Sequence, residues 1–138
     1  MALRDLVQRA YGHYVERIGM RPIPMDADYD AAVSAARAWV AEIDGEIAGL
    51  LVLDAYDDHM LVENVAVEPS RQHQGIGRAL LAFAEQRAAE LGLRELRLYT
   101  HVMMTENQAL YARLGYREVD RRSEQGRTAV FMSKRLGA

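Results

Sequence analysis

The feature that most constrains this chain is a change of repeat in mid-sequence. Met60–Val67 (MLVENVAV) reads as a β-strand that Pro69 ends. Further on, Leu80, Phe83, Ala84, Ala88 and Leu91 recur at helical spacing, with Glu85, Gln86, Arg87 and Glu90 largely outside that face and Gly92 as a stop. Between the two runs lie Glu68-Pro69-Ser70-Arg71 and then Gln72-His73-Gln74-Gly75-Ile76-Gly77, with the helix expected to start at Arg78-Ala79. Glycines let backbone approach a ligand closely and take positive φ. The first N–H groups of a helix have no intrahelical partner, and the helix dipole adds partial positive charge there. Such a strand–glycine turn–helix can hold a phosphate without a lysine, and Arg78 can add a side-chain contact.

Two better-known phosphate loops do not fit. A Walker loop ends in Gly-Lys-Ser/Thr, whereas this one has Gly77-Arg78-Ala79. The dinucleotide fingerprint needs a third glycine where Leu80 stands. On the glycines alone, a tight turn and a phosphate cradle both remain open.

The rest of the chain supplies layers to pack on that unit. Leu3, Leu6, Val7, Ala10, Tyr11, Tyr14, Val15 and Ile18 predict an opening helix, and a shorter one is expected from about Asp26. Trp39–Ile43 and Ile47–Leu53 predict a hairpin around Asp44-Gly45. Glu95–Thr100 reads as a strand, Thr105 as the cap of a short helix that Gly115 ends, and Tyr116–Arg122 with Thr128–Lys134 as a closing hairpin. The expectation is one α/β domain over residues 1–138, with helices on a mixed sheet.

Composition narrows the chemistry. The chain has 138 residues, a net charge of −3 and no cysteine. The charge argues against non-specific nucleic-acid binding, and the lack of cysteine removes thiolate nucleophiles and thiolate metal sites. His13, His59, His73 and His101 do not pair at i, i+3 or i, i+4, so no metal site is expected. No apolar stretch approaches the roughly 20 residues of a spanning helix. The expectation is a soluble, cytoplasmic protein.

Two elements together resemble the Gcn5-related N-acetyltransferase (GNAT) superfamily. Gln72, Gly75 and Gly77 meet its coenzyme A signature, Gln/Arg-x-x-Gly-x-Gly/Ala, after a strand ending Asn64-Val65-Ala66-Val67. Asn107-Gln108-Ala109-Leu110-Tyr111-Ala112-Arg113-Leu114-Gly115-Tyr116 resembles its second element. The resemblance spans roughly Ala38–Leu136 and implies a central, mostly antiparallel twisted sheet flanked by helices. It implies acetyl-CoA as donor, with the pyrophosphate on backbone from Gln72, His73, Gln74, Gly75, Ile76, Gly77, Arg78 and Ala79. It places the pantetheine arm along Val65, Ala66 and Val67, Asn107 on that arm, and Tyr111 as general acid. The acceptor is expected to be an amine. Three other readings are a coenzyme A sensor without turnover, a transferase for another acyl group or acceptor, and a purely structural α/β interaction domain.

Glu63 shares a strand face with Val65 and Val67 and is the candidate base, directly or through water; its alternative role is an ion pair with an arginine. Tyr111 has a packing alternative too, since tyrosines on short helices commonly serve the core. His73 points to phosphate or to solvent. His101 either faces the acetyl site or simply ends its strand. Tyr11, Tyr14, Met20, Met25, Tyr29 and Trp39 are candidates to shape the acceptor side, with core packing the simpler reading of Tyr11 and Tyr14. The family usually has a strand ahead of its first helix, and here only Met1-Ala2 precede that helix. The first edge strand is therefore expected to be missing, leaving an edge that a homodimer partner or a loop can cover.

Overall fold

The computed structural model describes residues 5–11, 37–72 and 74–137. The second predicted helix, and with it Tyr14, Met20, Met25 and Tyr29, lies outside the described residues, as does His73. Helix α1 (residues 5–11) buries Leu6, Val7, Ala10 and Tyr11, the stripe its spacing predicts. Then follow β1 (Ala38–Ile43), β2 (Glu46–Ala55), β3 (Met60–Val67), a 3-10 turn (Pro69–Arg71), α2 (Ile76–Glu90), β4 (Glu95–His101), α3 (Thr105–Arg113), β5 (Arg117–Glu124) and β6 (Arg127–Arg135).

The six strands form one mixed sheet in the order β1-β2-β3-β4-β6-β5. β1 and β2 run antiparallel around Asp44-Gly45, whose φ angles of 54° and 81° match a two-residue hairpin turn. β4–β6 and β5–β6 are also antiparallel, and β3–β4 is parallel. That parallel ladder is short, pairing Met60–Val62 with Leu96–Leu98. β1 and β5 are the terminal strands. Every residue of β5 is exposed, and a bulge between Glu118 and Asp120 interrupts its pairing. Bulges and charges of this kind discourage further strand addition.

The chain divides into two compact units, residues 1–53 with 64–84, and residues 54–63 with 85–138. In the first, β2 is buried on both faces from Ala48 to Leu53, which explains why its sequence is a continuous apolar run rather than an alternation. Ile76, Leu80, Leu81 and Ala84 bury the first part of α2, and Phe83 packs its ring 5.5 Å from Trp39. In the second, Leu96, Leu98, Met104, Tyr111, Tyr116, Val130 and Met132 make the core.

Three expectations are corrected in detail. Helix α2 starts at Ile76, so Gly77 and Arg78 are already helical. Leu91 is exposed because the helix ends at Glu90, and Leu81 is buried in addition. Thr105 is the first helical residue, and the N-cap is Met104 with no side-chain cap bond.

Candidate active site

In the first unit, β3 leads into the loop through a fixed exit. Glu68 donates its backbone N–H to the Ala48 carbonyl at 2.8 Å, and its carboxylate takes a paired contact from Arg9 of α1, at 2.6–3.0 Å. Pro69 then starts a 3-10 turn, and Gln72 returns to extended backbone with φ −68° and ψ 155°. Gly75 follows with φ 82°, a conformation that side-chain-bearing residues rarely adopt. Its carbonyl accepts the Ala79 N–H at 3.0 Å, which makes it the residue that launches α2. The amides of Ile76, Gly77 and Arg78 are thus the orphan donors of the helix start. A Cβ placed on Gly75 would meet nothing within 4 Å among the described residues. Gln72, Gln74, Arg78 and Ala79 are exposed. The arrangement suits a diphosphate, which takes backbone donors and the positive end of a helix.

A residue the motif does not mention holds that helix start in place. Gly49 sits in β2, and a Cβ there would lie 2.9 Å from Ile76 Cγ2, 2.9 Å from Leu80 Cδ1 and 3.3 Å from the Ala66 carbonyl oxygen. The missing side chain lets the first turn of α2 settle directly on the sheet. A glycine inside an otherwise apolar strand run is the sequence signal for such a close approach.

Strand β3 alternates as expected. Met60, Val62, Asn64 and Ala66 are buried, while Glu63, Val65 and Val67 lie half-buried on the other face. Asn64 is a buried polar residue on the core side, and Tyr11 explains how it is satisfied. The Tyr11 hydroxyl donates to Asn64 Oδ1 at 2.6 Å and is shared with the Val65 carbonyl at 3.2 Å. Tyr11 is therefore both a core residue and a tie to the strand, a role its helical spacing alone does not disclose.

The second unit contains Glu63, Asn107 and Tyr111. Tyr111 is buried in the last turn of α3. Gly115 has φ 99° and donates its N–H to the Ala112 carbonyl at 3.1 Å, while the Tyr116 N–H reaches the Tyr111 carbonyl at 3.0 Å. This pair of bonds is a Schellman stop, and its usual apolar contact is supplied by the Tyr111 and Tyr116 rings, 5.9 Å apart. The Tyr-x-x-Leu-Gly-Tyr pattern thus has a structural cause independent of chemistry. The Tyr116 hydroxyl is buried and has no hydrogen-bond partner among the described residues; burial first, then Glu85 and Tyr111, push its pKa up.

Asn107 is half-buried and offers Nδ2 to the Met104 sulfur at 3.8 Å. Gln108 ties the start of α3 to the end of β4 by donating to the carbonyls of Val102 and His101 at 2.8 and 3.2 Å. His101 is half-buried rather than a free strand end. Its Nδ1 accepts the Met103 N–H at 3.1 Å, so the neutral ring carries its proton on Nε2, which is buried without a partner among the described residues. Burial, then the positive charge of Arg127, lower its pKa. Among the described residues no group of three or more acidic or histidine side chains can hold a metal, and no helix is long and apolar enough to cross a membrane.

Comparison with known proteins agrees with this architecture. The mycothiol acetyltransferase of Nocardia farcinica is 38% identical over 84 residues, which is 60% of this chain and 26% of that protein. The chain thus spans about a quarter of the length of that curated relative. Among solved structures, the ribosomal-protein-S18-alanine N-acetyltransferase of Escherichia coli shares the fold with a TM-score of 0.76 at 22% identity, covering 99% of this chain and 87% of that one. A GNAT family acetyltransferase from Elizabethkingia anophelis, solved with acetyl-CoA bound, superposes with a TM-score of 0.68 at 24% identity, covering 78% and 81%. The profile of the acetyltransferase (GNAT) family matches residues 1–116, and the chain belongs to that family.

Proposed function

We propose that this chain is an acetyl-CoA-dependent N-acetyltransferase acting in the cytoplasm on a primary amine. The observation that carries this reading is the Gln72–Ala79 segment, where Gly75 takes a positive φ and its carbonyl accepts the Ala79 N–H, so that the first amides of α2 follow directly on the glycine turn. In this reading the pyrophosphate takes those amides, with Arg78 beside it, and the arm of the cofactor runs along Val65–Val67. Asn107 contributes to holding the arm.

The chemistry then needs no covalent enzyme intermediate. The unprotonated amine attacks the thioester carbonyl carbon, and the C–N bond forms. The carbonyl oxygen gains charge, which preorganised N–H donors stabilise by a few kcal/mol. The tetrahedral species collapses, the C–S bond breaks, and Tyr111 supplies a proton to the departing thiolate. Glu63, directly or through water, takes the proton the amine loses.

Equilibrium binding of acetyl-CoA, followed by release of free thiol over a panel of amines, tests the proposal. Saturable binding with amine-dependent thiol release is expected. Binding without release over the whole panel favours a coenzyme A sensor. Faster release from a longer acyl-CoA favours a different acyl group, and no saturable binding defeats the reading.

A further inference from the structure

The two faces of β4 are unequal. Leu96, Leu98 and Thr100 are buried, whereas Arg97 and Tyr99 are exposed on the opposite face. Phe131 lies directly across from Tyr99 in the β4–β6 register, with ring centroids 5.7 Å apart. Arg122 lays its guanidinium over Phe131, 5.0 Å from the ring centre. This face therefore already carries one cation on an aromatic ring. That arginine is paired with Asp120 at 2.9 Å, and Arg97 with Glu95 at 2.9 Å, so both positive charges bring counter-charges of their own.

On the other side of Tyr99 lies β3. The parallel register pairs Leu61 with Arg97 and Val62 with Leu98, which puts Glu63 next in line, beside Tyr99. Burial, then the charge of Glu63, then Tyr56 raise the pKa of the Tyr99 hydroxyl, so the phenol stays neutral and the carboxylate is its electrostatic neighbour. Tyr56 is 49% exposed and stacks on His59 with centroids 4.8 Å apart. Tyr99 itself keeps 39% of its surface open. An open aromatic face and an adjacent carboxylate share one preference: both attract a cation.

We infer that Tyr99, with Glu63 beside it, receives the acceptor in its ammonium form. This deepens the acetyltransferase reading and rests on it. The ring holds the charged amine by its face, and Glu63 is the group that then takes the proton. Tyr99 is on this account a specificity-determining residue, and its hydroxyl is dispensable.

Steady-state kinetics with primary alkylamines, and with aniline as an acceptor uncharged near neutral pH, test the assignment. Tyr99→Leu is expected to raise the alkylamine KM by roughly 3- to 30-fold. It should leave acetyl-CoA affinity and the aniline KM unchanged, and Tyr99→Phe should stay near wild type. An unchanged alkylamine KM in Tyr99→Leu, or an equal rise for aniline, overturns it. Tetramethylammonium, a cation that cannot be acetylated, gives a readout without turnover. It should shift the Tyr99 ring resonances of the wild-type protein, and its saturable binding should be lost in Tyr99→Leu. No shift, or binding that survives in the Leu variant, overturns the inference. If wild type releases no thiol, the acetyltransferase reading fails, and the tetramethylammonium titration still decides whether the cation site exists.

Discussion

The ring of Tyr111 packs against Tyr116 where α3 closes, and its hydroxyl is the atom to which the proposed chemistry assigns a proton. Removing only the oxygen separates the two. Tyr111→Phe keeps the ring contact and the Schellman stop, so acetyl-CoA affinity should change little. The kcat should fall by roughly 100-fold, the scale of a lost general acid. An unchanged kcat takes Tyr111 out of the mechanism. Glu95 offers a second test at this scale. Arg97 donates to its carboxylate at 2.9 and 3.2 Å and Ser133 at 2.7 Å, and these bonds lower its pKa to about 2. A depressed carboxylate stabilises the fold above its unfolded pKa, and that contribution is lost as pH falls through the folded value. The Tm of wild type should therefore drop faster than that of Glu95→Gln between the ordinary carboxylate range and pH of about 2; parallel melting curves over that window would show that the bonds do not survive in solution. Gly75 and Tyr111 are legible as residues because each belongs to a spaced motif with its own local cause. Tyr99 is not, because alternation assigns a side chain to a face without telling which face other elements cover.

At the scale of elements, Gly49 connects the sheet to the start of α2. The first turn of α2 presses Ile76 and Leu80 into the space a side chain at Gly49 would fill. Gly49→Ala would force those two side chains to move, and a branched residue leaves them no room. Gly49→Val should cost about 1–3 kcal/mol, the usual scale of overpacking. It should also weaken acetyl-CoA binding, because it lifts the amides that launch the helix. Urea denaturation and a titration with acetyl-CoA read the two effects, and a destabilised variant with unchanged affinity would show that Gly49 serves packing alone. Most elements are legible from periodicity and turn chemistry, as the Met60–Val67 strand and the Asp44-Gly45 hairpin illustrate. The ends of helices are less so. Leu91 continues the apolar repeat past the point where the helix stops, and Thr105 is a good cap residue placed one position too late. In both cases the backbone bonds of the terminus decide the boundary, and side-chain identity only allows it.

For the whole molecule, the sequence conveys the succession of strands but not their order in the sheet. β6 inserts between β4 and β5, and β3 meets β4 in parallel after α2, because long-range pairing follows from which faces bury together and is only weakly encoded in any one segment. The same topology bears on cooperativity. Strand β3 and helix α2 each have one end in one compact unit and the other end in the second. Unfolding either unit removes part of an element that the other needs. A single transition is therefore expected over residues 1–138, despite the division into two units. The fluorescence of Trp39, the one tryptophan, reports the first unit, and tyrosine near-UV dichroism weights the second, which holds Tyr56, Tyr99, Tyr111 and Tyr116. The two signals should fall together in urea. Acetyl-CoA at 100 times its Kd should stabilise the folded state by about 2.7 kcal/mol. That corresponds to a rise in Tm on the order of 10 °C for a chain of this size. Since the proposed ligand sits at the start of α2, both signals should shift by the same amount. Two separate transitions, with only the Trp39 signal moved by acetyl-CoA, would show that the units unfold independently and that the shared strand and helix do not couple them.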